Sequence, residues 1–176
     1  MSRTITVDIF DSASIDEAIR ELKDYQQWIQ RKADELRERI AYFIARDASA
    51  VFNTAAAKDD LWEGVITGSV EVTVQPDGDN VTLVIASGED AVFMEFGAGV
   101  FYNGSVGSSP HPLGAGLGFT IGSYSTYKPD KEVWGYNDID GKLHLTHGTP
   151  ASMPLYKATM SVRQDIVQIA REVFNS

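Results

Sequence analysis

Apolar positions along this chain fall into two helical stripes, with an alternating hairpin, a short apolar run and a glycine-rich stretch between them. Ile15, Ile19, Leu22, Ile29, Ala33, Leu36, Ile40, Phe43 and Ile44 follow one another mostly in steps of three, four and seven. That spacing predicts one amphipathic helix running to about Asn53 or Ala57, bent near Tyr25–Trp28. Its other face holds Arg20, Lys23, Arg31, Lys32, Glu35, Arg37, Glu38 and Arg39. Ser14-Ile-Asp-Glu17 has capping-box spacing, so the helix is expected to start at Ser14. Before it, Thr4–Phe10 alternates, with Ile5, Val7 and Ile9 on one face, which predicts a short strand. A helix of about forty residues is ~60 Å long, more than a domain of this size covers. Either it folds back as two helices, or part of its stripe packs on another subunit.

After a turn over Thr54–Asp60, Ser69–Gln75 alternates, Pro76–Asn80 is turn chemistry, and Val81–Ala86 returns. This predicts a β-hairpin, extended by Val65–Gly68. In the run Val92–Val100, the residues Val92, Phe93 and Phe96 share a helical face, so one or two helical turns ending at Gly97 are expected. Residues 101–148 hold nine of the fifteen glycines and every histidine. Strand-like pieces interrupt them at Phe119–Ile121, Glu132–Tyr136 and Lys142–His147. A second hairpin is expected around the turn Asn137–Gly141. Pro154 suits the first turn of a closing helix, whose stripe is Leu155, Ala158, Val162, Ile166, Ile169, Ala170 and Val173. The reading is one α+β domain: a long N-terminal helix packed on a mostly antiparallel sheet (1–100), a glycine-rich insertion (101–148) and a C-terminal helix (149–176).

Composition agrees with a packed domain, at 43% hydrophobic residues including three tryptophans. Cysteine is absent, which excludes disulfides, thiolate nucleophiles and Cys-type zinc sites. The N-terminus lacks a signal-peptide apolar run, and no stretch approaches the length of a membrane span, so a soluble protein made in the cytosol is expected. The net charge of −10 sits in the middle. Asp59, Asp60, Glu63, Glu71, Asp77, Asp79, Glu89, Asp90 and Glu95 occur with no Lys or Arg from Asp59 to Tyr127. Such a surface repels phosphate and disfavours groove binding of nucleic acid. It either keeps a strand-rich region soluble, or faces a basic partner or a DNA conduit that must not stick.

No catalytic constellation stands out. Gly114-Ala-Gly-Leu-Gly118 with Gly122 is similar to nucleotide-binding glycine loops, but Pro110-His-Pro112 precedes it and no Lys-Ser/Thr pair follows, so a flexible loop is expected. His144 and His147 fall on opposite faces of a strand, against a metal site. Asp59-Asp60 and Glu89-Asp90 sit in turns, where solvation is the default. Ser105, Ser108 and Ser109 lie near His111 without a nucleophile-elbow context. Glu95 is the one acid embedded in apolar sequence. It either caps or pairs with an arginine of the long helix, or makes a subunit salt bridge or a backbone hydrogen bond. No cofactor or metal is expected.

Three segments together carry a resemblance: Ser14–Ala41, Met94-Glu-Phe-Gly-Ala-Gly99, and Thr149-Pro-Ala-Ser-Met-Pro-Leu-Tyr-Lys-Ala158 ahead of a terminal helix. In that order they resemble the tail-completion, or head–tail joining, proteins of long-tailed bacteriophages and prophages, often described as neck or minor tail proteins. Ile121-Gly-Ser-Tyr124 and Trp134-Gly-Tyr136 are similar to a glycine- and tyrosine-rich insertion in part of that family. Where the family has an aromatic residue after the proline, this chain has Pro154-Leu155-Tyr156. The resemblance implies a small α+β fold and a non-enzymatic structural virion protein. It implies a homo-oligomeric ring, a hexamer by family resemblance, at the head-proximal end of the tail. The implied partners are copies of itself, tail terminator, tail tube or sheath proteins, and head-closure (stopper) or connector proteins. DNA would pass through the lumen without specific binding, and no membrane is involved. Assembly would take place in the host bacterial cytoplasm. Candidate subunit or partner interface residues are Glu95, Phe96, Gly97, Gly99, Tyr102, Tyr124, Tyr127, Trp134, Tyr136, Met153 and Pro154. Two other readings stand beside it: a monomeric acidic binding module or inhibitor acting on a basic partner, and a hydrolase built on His111, His144 or His147.

Overall fold

The structure is a computed structural model and describes residues 4–57, 70–88, 90–99, 101–102, 105–106, 109–117, 119, 134–137, 140–146, 148–149 and 151–176. It has an α+β architecture: a long N-terminal helix, an antiparallel two-stranded hairpin and a C-terminal helix. Helix α1 spans Ser12–Ala57 without a break, 46 residues, or ~69 Å at 1.5 Å per residue. It is one helix, not two, with no interruption at Tyr25–Trp28. Its start differs from the expected capping box. Asp11 is the cap: its Oδ1 accepts from the Ala13 N–H at 3.0 Å and its carbonyl from the Ile15 N–H at 3.2 Å. The Ser14 hydroxyl instead accepts from the Asp8 N–H at 2.9 Å. Thr4–Phe10 is not a strand, despite its alternation. Residues 8–11 turn tightly, with the Asp8 carboxylate accepting from the Phe10 N–H.

Strands β1 (Glu71–Pro76) and β2 (Thr82–Ser87) pair antiparallel from Glu71 opposite Ser87 to Pro76 opposite Thr82. Helix α2 covers Ala91–Phe96. Strand β3 (Ala98–Gly99) pairs with β8 (Gly148–Thr149), β4 (Phe101–Tyr102) with β5 (Ser105–Val106), and β6 (Trp134–Asn137) with β7 (Leu143–Thr146), all antiparallel. Among the described residues the strands form four two-stranded pairs, all antiparallel, as the α+β reading expected. The two hairpins anticipated from alternation are β1–β2 and β6–β7. The extension at Val65–Gly68 and the piece at Thr120–Ile121 lie outside the described residues.

Helix α3 (Pro154–Asn175) runs antiparallel to α1. Near its end Phe174 meets Trp28 edge-on, and Glu172 reaches Arg39 at 3.8 Å. Near its start Ala158 joins Ala48, Phe52 and Met94 in the buried core, with Ile44, Val70, Val72, Ala86 and Leu155 packed around them. The stripe on α3 is buried at Pro154, Ala158, Val162, Ile169 and Val173, whereas Ile166 is exposed. Arg37 donates from Nε to the Thr82 hydroxyl at 3.2 Å and ties α1 to β2. Among the described residues, no helix is long and apolar enough to cross a membrane.

Candidate functional site

Among the described residues the buried polar side chains Glu95, Ser109 and His111 come together where α2, the segment Ser109–Phe119 and the first turn of α3 meet. Helix α2 ends at Gly97, whose φ of +77° is costly for any other residue and whose N–H reaches the Phe93 carbonyl at 2.7 Å. Its buried face is Ala91, Met94 and Glu95, while Val92 and Phe93 are exposed. This corrects the expected apolar face of Val92, Phe93 and Phe96. The helix is turned so that its one acid points inward.

Glu95 is only 6% exposed. Its Oε2 accepts from the Leu155 N–H at 2.8 Å and its Oε1 from the Tyr156 N–H at 2.9 Å. Those are the second and third residues of α3, the positions that an N-cap side chain normally satisfies. The local cap residue, Met153, sits in the left-handed region at φ +53° and makes no side-chain cap bond. Pro154 has no N–H, and the Lys157 N–H bonds the Met153 carbonyl at 2.9 Å. Every amide donor of the first turn is accounted for, and Glu95 is the cap, supplied from sixty residues away. The positive end of the helix dipole also favours a carboxylate here. A backbone hydrogen bond was one of the readings open from sequence. The pairing with an α1 arginine does not occur: the third partner is His111 Nε2, at 3.3 Å from Oε1.

His111 is itself buried. Its Nδ1 accepts from the Leu113 N–H at 3.1 Å, which leaves Nε2 as the ring N–H that donates to Glu95. The Phe96 ring stacks on Phe119 with centroids 4.6 Å apart. His111 meets Phe96 and Tyr156 edge-on at 4.5 and 5.1 Å. The Ser109 hydroxyl donates to the Phe96 carbonyl and accepts from the His111 N–H. Both ring nitrogens and the hydroxyl are therefore held by structural partners, and Ser109 and His111 are not arranged as nucleophile and base. Beside this cluster, the Met94 carbonyl accepts from Ser152 and Met153 at 2.8 and 3.2 Å.

The glycine-rich loop expected to be flexible is folded onto the body in its described part. Ala115–Leu117 forms a 3-10 turn, and Ser109 and Phe119 are joined by a backbone bond of 3.0 Å. A Cβ on Gly114 would lie 2.5 Å from Ser109 Cβ and 3.1 Å from the His111 carbonyl oxygen, whereas nothing lies within 4 Å of one on Gly116. Gly114→Ala is expected to cost about 1–3 kcal/mol in urea denaturation, with Gly116→Ala near zero. Equal effects would mean the Gly114 contact does not matter.

The remaining candidate residues scatter. Gly99 lies in β3, Tyr102 in β4, and Trp134 and Tyr136 in β6, whereas Tyr124 and Tyr127 lie outside the described residues. Glu95, Phe96, Gly97, Met153 and Pro154 come together; Glu95, Gly97 and Pro154 are buried within the chain. Of the acidic run, Glu71, Asp77 and Asp79 are exposed on the β1–β2 hairpin, and Asp59, Asp60, Glu63 and Glu89 lie outside the described residues. Among the described residues no group of three or more His, Asp or Glu is placed to hold a metal ion. Sequence reasoning did not connect His111 or Ser109 to Glu95. The available signal was a histidine locked between Pro110 and Pro112 in an otherwise loose stretch. No protein-family model matches the chain, and no curated protein or solved structure is similar to it.

Proposed function

We propose that the chain is a structural virion protein of the tail-completion type, a ring-forming adaptor between the tail of a long-tailed phage and its head connector. The observation that carries the reading is the meeting of the segments on which the resemblance rests. Met94–Gly99 and Thr149–Ala158 are joined by the Glu95 cap, the Met94 carbonyl and the β3–β8 pair. Ser14–Ala41 belongs to α1, against which α3 packs. Residue types that look unrelated in the sequence thus serve one frame, against which Ser109 and His111 of the insertion are also held.

In this reading the frame sets subunit geometry, and the insertion supplies contacts to neighbouring subunits or to tail and connector proteins. Glu71, Asp77 and Asp79 would face the lumen and keep DNA from adhering. Deleting the coding sequence from its phage or prophage is expected to leave filled heads and finished tails unjoined, with purified protein restoring joined particles in negative stain. Normal joining in the deletion strain would refute the assignment.

A further inference from the structure

The first third of α1 carries an apolar stripe that the described chain leaves open. Ile15, Ile19, Leu22, Tyr25 and Ile29 are 37 to 57% exposed, with Leu22 the most. Helix α3 meets α1 at Trp28 and Lys32 with its own last turn, through Phe174 and Ser176. Residues 12–27 therefore project past it, for about 24 Å at 1.5 Å per residue.

We infer that a second copy of this chain covers the stripe, its α1 lying antiparallel across a two-fold axis between Arg20 and Glu21. The spacing Ile15, Ile19, Leu22, Gln26, Ile29 alternates steps of four and three, the seam of a coiled coil. In an antiparallel pair each residue of one seam class layers against the other class. Ile19 of one copy then packs on Leu22 of the other and Ile15 on Gln26, each twice by symmetry. Asp16 and Lys23 sit seven residues apart on the same edge of the seam. Both are exposed, and among the described residues neither has an ion-pair partner in its own chain. The antiparallel arrangement brings Asp16 of each copy beside Lys23 of the other, so the surface is complementary to itself.

Packing geometry selects the same direction. A parallel pair would bring both bodies to the same end of the seam, where Arg37 already holds β2 against α1 through Thr82. The antiparallel pair sends the bodies to opposite ends, and the overlap uses only the projecting residues. The contact is isologous, and a contact of that kind does not propagate around a six-fold ring. It is a second interface, belonging to the free protein and separate from the ring contacts of the proposed adaptor.

Sedimentation equilibrium of the full chain over micromolar to millimolar concentrations tests it. A dimer is expected, with Leu22→Glu monomeric and unchanged in far-UV helicity, because Leu22 lies outside the core. Lys23→Glu sets a carboxylate against Asp16 at each of the two symmetry-related sites and is expected to weaken the dimer by about tenfold. Asp16→Lys combined with Lys23→Glu is expected to restore it to within about twofold. A monomer at every concentration, a dimer indifferent to Leu22→Glu, or a charge swap that fails to rescue would each overturn the proposal. None of these outcomes depends on the head–tail joining assay.

Discussion

Glu95→Ala is expected to lower stability by about 3–5 kcal/mol, as one buried and two half-buried donors lose their acceptor at a cost of roughly 1–3 kcal/mol each before relaxation. The Leu155 and Tyr156 amides and the His111 Nε2–H all point at the carboxylate. Met153, the residue at the cap position of α3, makes no side-chain cap bond, and among the described residues the first-turn amides of Leu155 and Tyr156 are capped by Glu95. For a chain of this size the change corresponds to a fall of about 6–20 °C in melting temperature. Glu95→Gln keeps one carbonyl acceptor but turns an NH2 toward a donor, so an intermediate loss is expected. Hydrogen exchange separates this account from a general loosening. The Leu155 and Tyr156 amides should exchange much faster in Glu95→Ala, while the amides of α1 around Ala48 keep most of their protection. A loss under about 1 kcal/mol with both α3 amides still protected would refute the capping role. The proposed adaptor function adds that the variant should fail to join heads to tails.

Phe52→Ala is expected to cost about 3–5 kcal/mol through lost burial and the cavity left behind. Phe52 is 1% exposed, and with Ala48, Met94 and Ala158 it forms the buried cluster shared by α1, α2 and α3. Val70, Val72 and Ala86 bring the hairpin to the same point. Removing the ring therefore weakens every element at once, unlike the loss of Glu95. Protection should fall together across α1, β1–β2 and α3, and the denaturant midpoint should shift with little change in slope. Phe52→Leu, which fills most of the volume, is expected to lose less than about 1.5 kcal/mol. If Phe52→Ala and Phe52→Leu were equally stable, the cluster would not be the keystone described.

The elements legible in the sequence are those whose signal is local. The β1–β2 hairpin follows from alternation on either side of Pro76–Asn80, the end of α2 from Gly97, and the start of α3 from Pro154. The failures turn on partners that no periodicity names, some near in the chain and some distant. Thr4–Phe10 has strand periodicity, but no described strand pairs with it, and alternation alone makes no hydrogen bonds. Ser14 and Asp11 are both good caps, and the choice went to Asp11 because Ser14 is engaged by the Asp8 amide. Glu95 was conspicuous as an acid in apolar sequence. Its partners lie in a loop and in the first turn of a helix, so no spacing rule could have named them. The inward turn of α2 follows from those partners and from Met94 in the core, and not from Val92 and Phe93.

The β3–β8 pair gives the frame a mechanical character. Ala98 opposite Thr149 and Gly99 opposite Gly148 close the insertion at its base, and Ser109 and His111 fasten it to α2 a second time, so a load on the insertion enters the body at two places. At the base, β3 adjoins α2 directly and β8 leads, through Ser152 and Met153, into the start of α3. That base is two residue pairs long and the bonds to Met94 and Glu95 stand behind it, in series with the α1–α3 core. Both fastenings end on α2 and the first turn of α3, so the insertion is coupled to the α1–α3 core through Glu95.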